Sequence, residues 1–402
     1  MSALCACNGG ACNGAGYSLV DSGSFSLRNP TDGTVHVKEL IHIIKEAVTE
    51  NNGLSNHEYD ELLKALYHQD IERHNQEVKA GLAKYLFKLL EVILPRDTTG
   101  EQVGYIVTAF ALVLECSDKH KIYCYKTIGR QLIPLLLATC DMCMFGKVLK
   151  EHSPELILAT TTKILGTFCK LSEMWKLMAG NVDLLNTLVD VIDCNISPDA
   201  RVYAIGAISV LALDDESRLT LATHPDIIDT LIEASKVKHE LTWKKISAAI
   251  LNISAVTDAH DHLAERPGFL KLLYKHLTSS GDPQMRAAGT LRNIASSEAA
   301  RWEIVVYSSG AMLTALSTIV LKSNNETLRS RAAGAIKNLS ASYDFNLQKI
   351  LLAHPHFMKS ITAASKSRSK NVRPYACAAL ANLTEPGGKK LSLKQKRSHA
   401  LQ

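Results

Sequence analysis

Proline and glycine are scarce for a chain of 402 residues, at 11 and 22. Sandwiches and barrels need more frequent turn residues than that. Long apolar runs are missing as well. The two longest, Gly104 to Leu114 and Leu132 to Cys140, end at Glu115 and Asp141, short of the roughly 20 residues of a membrane span, so a soluble chain is expected. The ten cysteines do not form a secreted disulfide framework, because three fall in the first twelve residues and the others are scattered through apolar segments. A reducing compartment, cytoplasmic or nuclear, follows. Asn8, Gly9, Gly10, Asn13 and Gly14 interrupt whatever hydrophobicity Leu4 and Cys5 supply, and no secretory signal is read.

What is present is helical. Charged residues make up 21% and hydrophobic ones 46%, which excludes wholesale disorder, and the length allows two or three ordinary domains or one repeat array. The net charge of +5 is uneven, since Lys359 to Gln402 hold ten Lys or Arg and one acid, Glu385. Residues 1–34 are rich in Gly, Ser, Asn and Cys without periodicity and read as a flexible leader. From Val37 apolar residues recur at three- and four-residue spacing, as in Leu40, Ile41, Ile44 and Val48. Residues 35–150 read as an N-terminal helical region with room for degenerate repeats, 151–386 as a repeat array, and 387–402 as a basic tail.

The array is visible as internal repetition. RAAGTLRNIASS at 286 and RAAGAIKNLSAS at 331 match KISAAILNISAV around Asn252 and YACAALANLTEP around Asn382. Asn252, Asn293, Asn338 and Asn382 therefore share one register, each four residues after Ala248, Gly289, Gly334 or Ala378. A second motif keeps step: LATHPDIIDTLIEA at 221, LAERPGFLKLLYKH at 263, the proline-free VYSSGAMLTALSTI at 306, and LLAHPHFMKSITAA at 351. One unit thus reads as short helix, Pro or Gly turn, helix, turn, and a long helix carrying the Asn. Fading copies put Val210 and Lys170 in the Asn register, and five units are expected between about 155 and 386. Such a unit cannot bury its apolar face alone, so the units must stack. Gly289 and Gly334, each costing roughly 1 kcal/mol against Ala in a helix interior, imply a steric demand at their register.

These segments resemble the armadillo repeat family, whose unit is three helices and whose third helix carries a small-residue run followed by Asn-Leu. The resemblance covers residues 155–386 well and the preceding 115 weakly. It implies an all-α fold, an armadillo-type α-solenoid in which three-helix repeats form a right-handed superhelix. It also implies that the third helices line a concave groove where the Asn ladder holds the backbone of an extended peptide. The residues themselves leave a second role open, in which the amides only bond neighbouring backbone.

Seven residues before each Asn, on the same helix face, stand Lys245, Arg286, Arg331 and Tyr375, with Arg292 and Lys337 one residue before theirs. Cations recurring at one register point to acidic peptides, against the plainer reading of a solvated face. Nuclear-import adaptors of the family carry Trp four residues before the Asn. Here that position is Ala or Gly, and Trp243, Trp175 and Trp302 lie elsewhere. Lys389, Lys390, Lys394, Lys396 and Arg397 follow a Gly-Gly break and read as a candidate nuclear localisation signal or a plain basic tail. Cys5, Cys7 and Cys12 lack a fourth zinc ligand, and membrane attachment enters only if they are lipidated. Cys140 and Cys143 read as buried thiols. His260 and His262 resemble a metal pair, but they sit between repeats, where turn roles fit them, as they fit His224 and His354.

No phosphate loop, HExxH or GxSxG motif occurs. The expectation is a non-catalytic interaction scaffold without cofactor, catalytic residue, metal or small-molecule substrate, and without nucleic acid as partner. Its partner is an extended, acidic protein segment. The alternatives are a nuclear transport or nuclear regulatory factor, and a helical-repeat subunit that positions a partner enzyme or membrane component.

Overall fold

The computed structural model describes residues 37–67, 76–97, 99–114, 121–122, 124–146 and 153–384. Among the described residues every regular element is a helix. The leader and its cysteines, and the basic tail from Lys389 to Arg397, lie outside them.

Five three-helix units follow one another at 172–211, 215–253, 257–294, 298–339 and 345–384. Local sequence sets their boundaries. Asn181, Ser197, Asp214, Ser297 and Asn325 each accept a hydrogen bond from the backbone N–H three residues on, which satisfies a donor that the first helical turn leaves orphaned. His239 and His354 cap their helices in the same way. Second helices start after the repeated Pro or Gly turn. Gly268 and Gly310 adopt φ of 84° and 86° there, a left-handed conformation that glycine takes without steric cost.

Stacking is by equivalent helices. The third helices Pro154–Cys169, Pro198–Leu211, Glu240–Ile253, Gly281–Ile294, Glu326–Leu339 and Arg373–Thr384 each pack on the next. First helices pack on first helices, and second helices form a further layer. One continuous core results, from Ile44 to Leu383, as an array of units unable to cover themselves requires. Pro154–Cys169 precedes the first complete unit and packs on both Arg130–Phe145 and Glu101–Leu114. Glu101–Leu114 packs in turn on Asn56–Tyr67, and Gln76–Ile93 on Val37–Thr49. Tyr59 and Tyr105 stack with ring centroids 5.1 Å apart across that upstream contact.

Two helical stretches, Tyr125–Phe145 and Glu298–Lys322, exceed the apolar runs of the sequence and are by length and composition long and apolar enough to cross a membrane. Continuity through charged residues such as Arg130 and Arg301 lengthens them. Half of each apolar window is buried against neighbouring helices. The second stretch is two helices meeting at Ser308 and Ser309, both at positive φ.

Candidate peptide-binding face

The third helices bring the repeated Asn and the repeated cations together in one row, all half-buried. Each side chain reaches back to the preceding unit. Asn252 donates to Ser209 O at 2.8 Å, Asn338 to Arg292 O at 2.6 Å and Asn382 to Lys337 O at 3.2 Å, in every case the carbonyl one residue before the Asn register of the previous third helix. Asn293 and Asn382 donate to Ser254 and Ser340 Oγ, both at 3.1 Å. Asn252, Asn338 and Asn382 therefore do bond neighbouring backbone, and Asn293 bonds a neighbouring hydroxyl. These bonds use the amide nitrogens; Oδ1 of all four is without a protein partner among the described residues.

The cations divide into two groups. Arg286 donates to Lys244 O at 2.6 Å and Arg331 to Met285 O at 3.2 Å, again equivalent carbonyls of the preceding helix, and Arg286 also pairs with Asp282. They are not the freely solvated side chains that the sequence pattern implies. Lys245, Arg292 and Lys337 differ, since no hydrogen bond or ion pair ties their charged groups among the described residues.

Glycines of the register four before the Asn lie beneath side chains of neighbouring units. A Cβ on Gly206 would meet the Lys245 stem at 3.9 Å, one on Gly289 the Arg331 Cδ at 3.5 Å, and one on Gly334 the Tyr375 ring at 3.9 Å. The residue seven before the Asn in one unit thus lies over the small residue of the unit before. Arg292 crosses Gly334 more closely, with Cδ 2.7 Å from where a Cβ would stand. The position that holds Trp in the adaptor branch is occupied from outside by both neighbouring repeats, with Leu251 or Arg292 from the unit before and Arg331 or Tyr375 from the unit after. Trp243 gives no substitute, because its Nε1 donates to Ser235 O and Val237 O and Lys275 Nζ sits 4.3 Å above its ring. Beside it a hollow of about 570 Å³ opens between the starts of two third helices, lined by Lys238, Lys244, Ser280 and Asp282 among others.

Charge along the third helices is ordered. In the five units their acids are Asp199, Glu240, Asp282 and Glu326, all in the first turn, where they complement the helix dipole. Beyond that turn the charged residues are cations.

A second ladder escaped the sequence reading. Trp175, Arg218, His260, Arg301 and Gln348 each donate to the carbonyl six residues earlier, at Cys169, Ala212, Ser254, Ala295 and Ser342, over 2.8 to 2.9 Å. These donors tie each first helix to the end of the previous third helix. His260 is thereby explained. Nε2 must donate, since a carbonyl only accepts, and Nδ1 lies 2.9 Å from Ser296 Oγ, so both ring nitrogens are engaged without a metal. Among the described residues no cluster of His, Cys, Asp or Glu could hold a metal ion. Cys140 and Cys143 are buried, and burial pushes the Cys143 thiol up to about 12.

Burial lowers the pKa of four histidines, His224, His260, His276 and His354, and that of His276, set also against Lys275, to about 4. A depressed histidine pKa means that the unfolded chain binds protons first. The stability these residues contribute is complete above pH 6.5 and falls as pH drops towards 4. Melting is therefore expected to fall between pH 7 and pH 5, with His276 alone costing about 2 kcal/mol at pH 5. His276→Leu should flatten that dependence; an equally steep profile in the variant would count against it.

No family model and no curated protein matches the sequence. Solved structures match it in shape. A designed armadillo repeat protein in complex with the peptide (KR)4 aligns over 62% of this chain and 99% of its own, at 19% identity and a TM-score of 0.52. An engineered protein aligns over 87% of this chain and 89% of its own, at 16% identity and a TM-score of 0.59. A structure of the UNC-45 chaperone, described for binding and folding muscle myosin, aligns over 87% of this chain but 38% of its own, at 16% identity and a TM-score of 0.55. The fold is an armadillo-type α-solenoid, as the resemblance implied.

Proposed function

We propose that the protein is a non-catalytic scaffold that binds an extended, acidic segment of a partner protein along the groove of its third helices. The observation that carries this reading is the charge order of those helices, which place cations and no acids beyond the first turn. Lys245, Arg292 and Lys337 are the primary contacts, because their charges have no protein partner among the described residues. Arg286 and Arg331 hold the units in register and add to the field. The free Oδ1 atoms of Asn252, Asn293, Asn338 and Asn382 accept from the backbone N–H groups of the bound strand, in the manner of an extended peptide on a regular ladder. Tyr375 closes the row at the last unit. Designed armadillo proteins include one solved with the basic peptide (KR)4; the basic face here calls for the opposite charge.

A fluorescent peptide of alternating Glu and Val should bind, its Lys-Val counterpart should not, and the affinity should fall as salt rises because the attraction is screened. Lys245→Glu, Arg292→Glu and Lys337→Glu together should weaken binding about a hundredfold, at roughly 1 kcal/mol for each charge. Equal affinity for both peptides, or an unaffected triple variant with intact helical signal, would remove the reading. Localisation in cytoplasm or nucleus belongs to the same proposal.

A further inference from the structure

Among the described residues, none covers the outer face of the last unit. Three registers show it. The residue five before the Asn register is buried at Leu165, Ile205, Ser247, Ala288 and Ala333, because the following third helix lies against it, yet Cys377 in the same register is exposed. The residue two before it is buried at Phe168, Ile208, Ile250, Leu291 and Ile336 and only half-buried at Leu380. On the first helices, Ala179, Ala222, Ala264 and Val305 are buried, whereas their counterpart Leu352 is 47% exposed. Solenoids ordinarily close such an end with a polar capping repeat. This one presents leucines and a thiol, with Phe345 and Ile350 exposed on the same terminal first helix.

The charge within the last unit is of one sign, and the acid that meets its loop, Glu326, is held by Ser369 and Asn371. From Phe345 to Thr384 the sequence contains no Asp or Glu, and Lys349, Lys359, Lys366, Arg368, Lys370 and Arg373 are all exposed. None forms an ion pair among the described residues. Arg373, Cys377 and Leu380 fall on one helix face at spacings of four and three, so cation and apolar seat lie side by side. Two candidates for covering the face are thereby disfavoured. A second copy would bring the same cations, and the chain beyond Thr384 brings five cations against Glu385.

We propose that this open end is a second docking surface, which receives an acidic amphipathic helix of a partner protein in the place a sixth unit would take. Its apolar stripe covers Leu352, Cys377 and Leu380, and its carboxylates meet Lys359, Lys366, Arg368, Lys370 and Arg373. This surface lies at the end of the third-helix row and is separate from the groove contacts Lys245, Arg292 and Lys337.

Cys377 supplies the readout. The full chain is mixed with a synthetic helix of about 18 residues carrying a leucine stripe flanked by Glu, or with the same helix carrying Lys for Glu. Alkylation of Cys377 is then followed by peptide mass spectrometry. Saturation with the acidic helix is expected to slow it about tenfold, and the Lys helix should leave it unchanged. Lys366→Glu, Arg368→Glu and Lys370→Glu, in the exposed loop before the last helix, should weaken the acidic helix about tenfold, while the groove triple variant binds it normally. Unprotected Cys377 at saturation, or equal protection by both helices, would overturn the proposal. So would protection in the free chain that grows with protein concentration, which would mean a second copy, or protection that disappears when residues 385–402 are removed, which would mean the chain's own tail.

Discussion

Arg301→Ala is expected to destabilise the C-terminal units by about 3 kcal/mol, the largest loss from any single side chain in the first-helix ladder. Arg301 is buried and donates to Ala295 O at 2.8 Å, Ser296 O at 3.0 Å and Ala341 O at 3.2 Å, and it pairs with Glu298. One side chain thus closes the turns at both ends of its unit. Truncation leaves three partly buried carbonyls unpaired at about 1 kcal/mol each, since an unmade bond costs the desolvation of the group left behind. In a solenoid such a loss is felt first by the unit and its neighbour. Amide exchange should therefore quicken over 298–384 before it does over 215–253. A change below about 1 kcal/mol, or one spread evenly along the chain, would show that the ladder does not hold the units together.

Gly334→Trp should cost about 2 to 3 kcal/mol, while Gly334→Ala should be close to neutral. A Cβ at 334 meets Arg292 Cδ at 2.7 Å and Cγ at 3.1 Å. These atoms belong to a flexible stem that can shift, and alanine's better helix propensity offsets the displacement by about 1 kcal/mol. An indole has no such escape, because Arg292 covers one side and the Tyr375 ring the other. Denaturant melts of the two variants check this directly. A stable Gly334→Trp protein would mean that the register is open, as in the adaptor branch, and not filled by the neighbouring repeats.

The parts of this fold that repeat as residue types were legible in the sequence. Asn252, Asn293, Asn338 and Asn382 announced the third helices because one side chain performs one task in each unit. The first-helix ladder was not legible, since Trp175, Arg218, His260, Arg301 and Gln348 share only an N–H donor and no residue type, although they recur at the repeat spacing. Charge misled in a related way. Arg286 and Lys245 look equivalent in the pattern, but arginine's fork reaches a carbonyl of the previous helix and the lysine ammonium stays unbonded. Upstream of Pro154 the Asn register disappears, and helix packing continues through apolar contacts such as Tyr59 on Tyr105, which no repeated residue marks.

The central claim is that the third-helix face holds an acidic strand, and a photo-crosslinking side chain tests it most directly. Placed at Leu251, half-buried in the register of Arg292 and Lys337 and already a large side chain, it should capture the Glu-Val peptide. Placed at Glu303, exposed on a first helix, it should not. Capture from position 303 with none from position 251 would contradict the account and move the binding surface off the third helices.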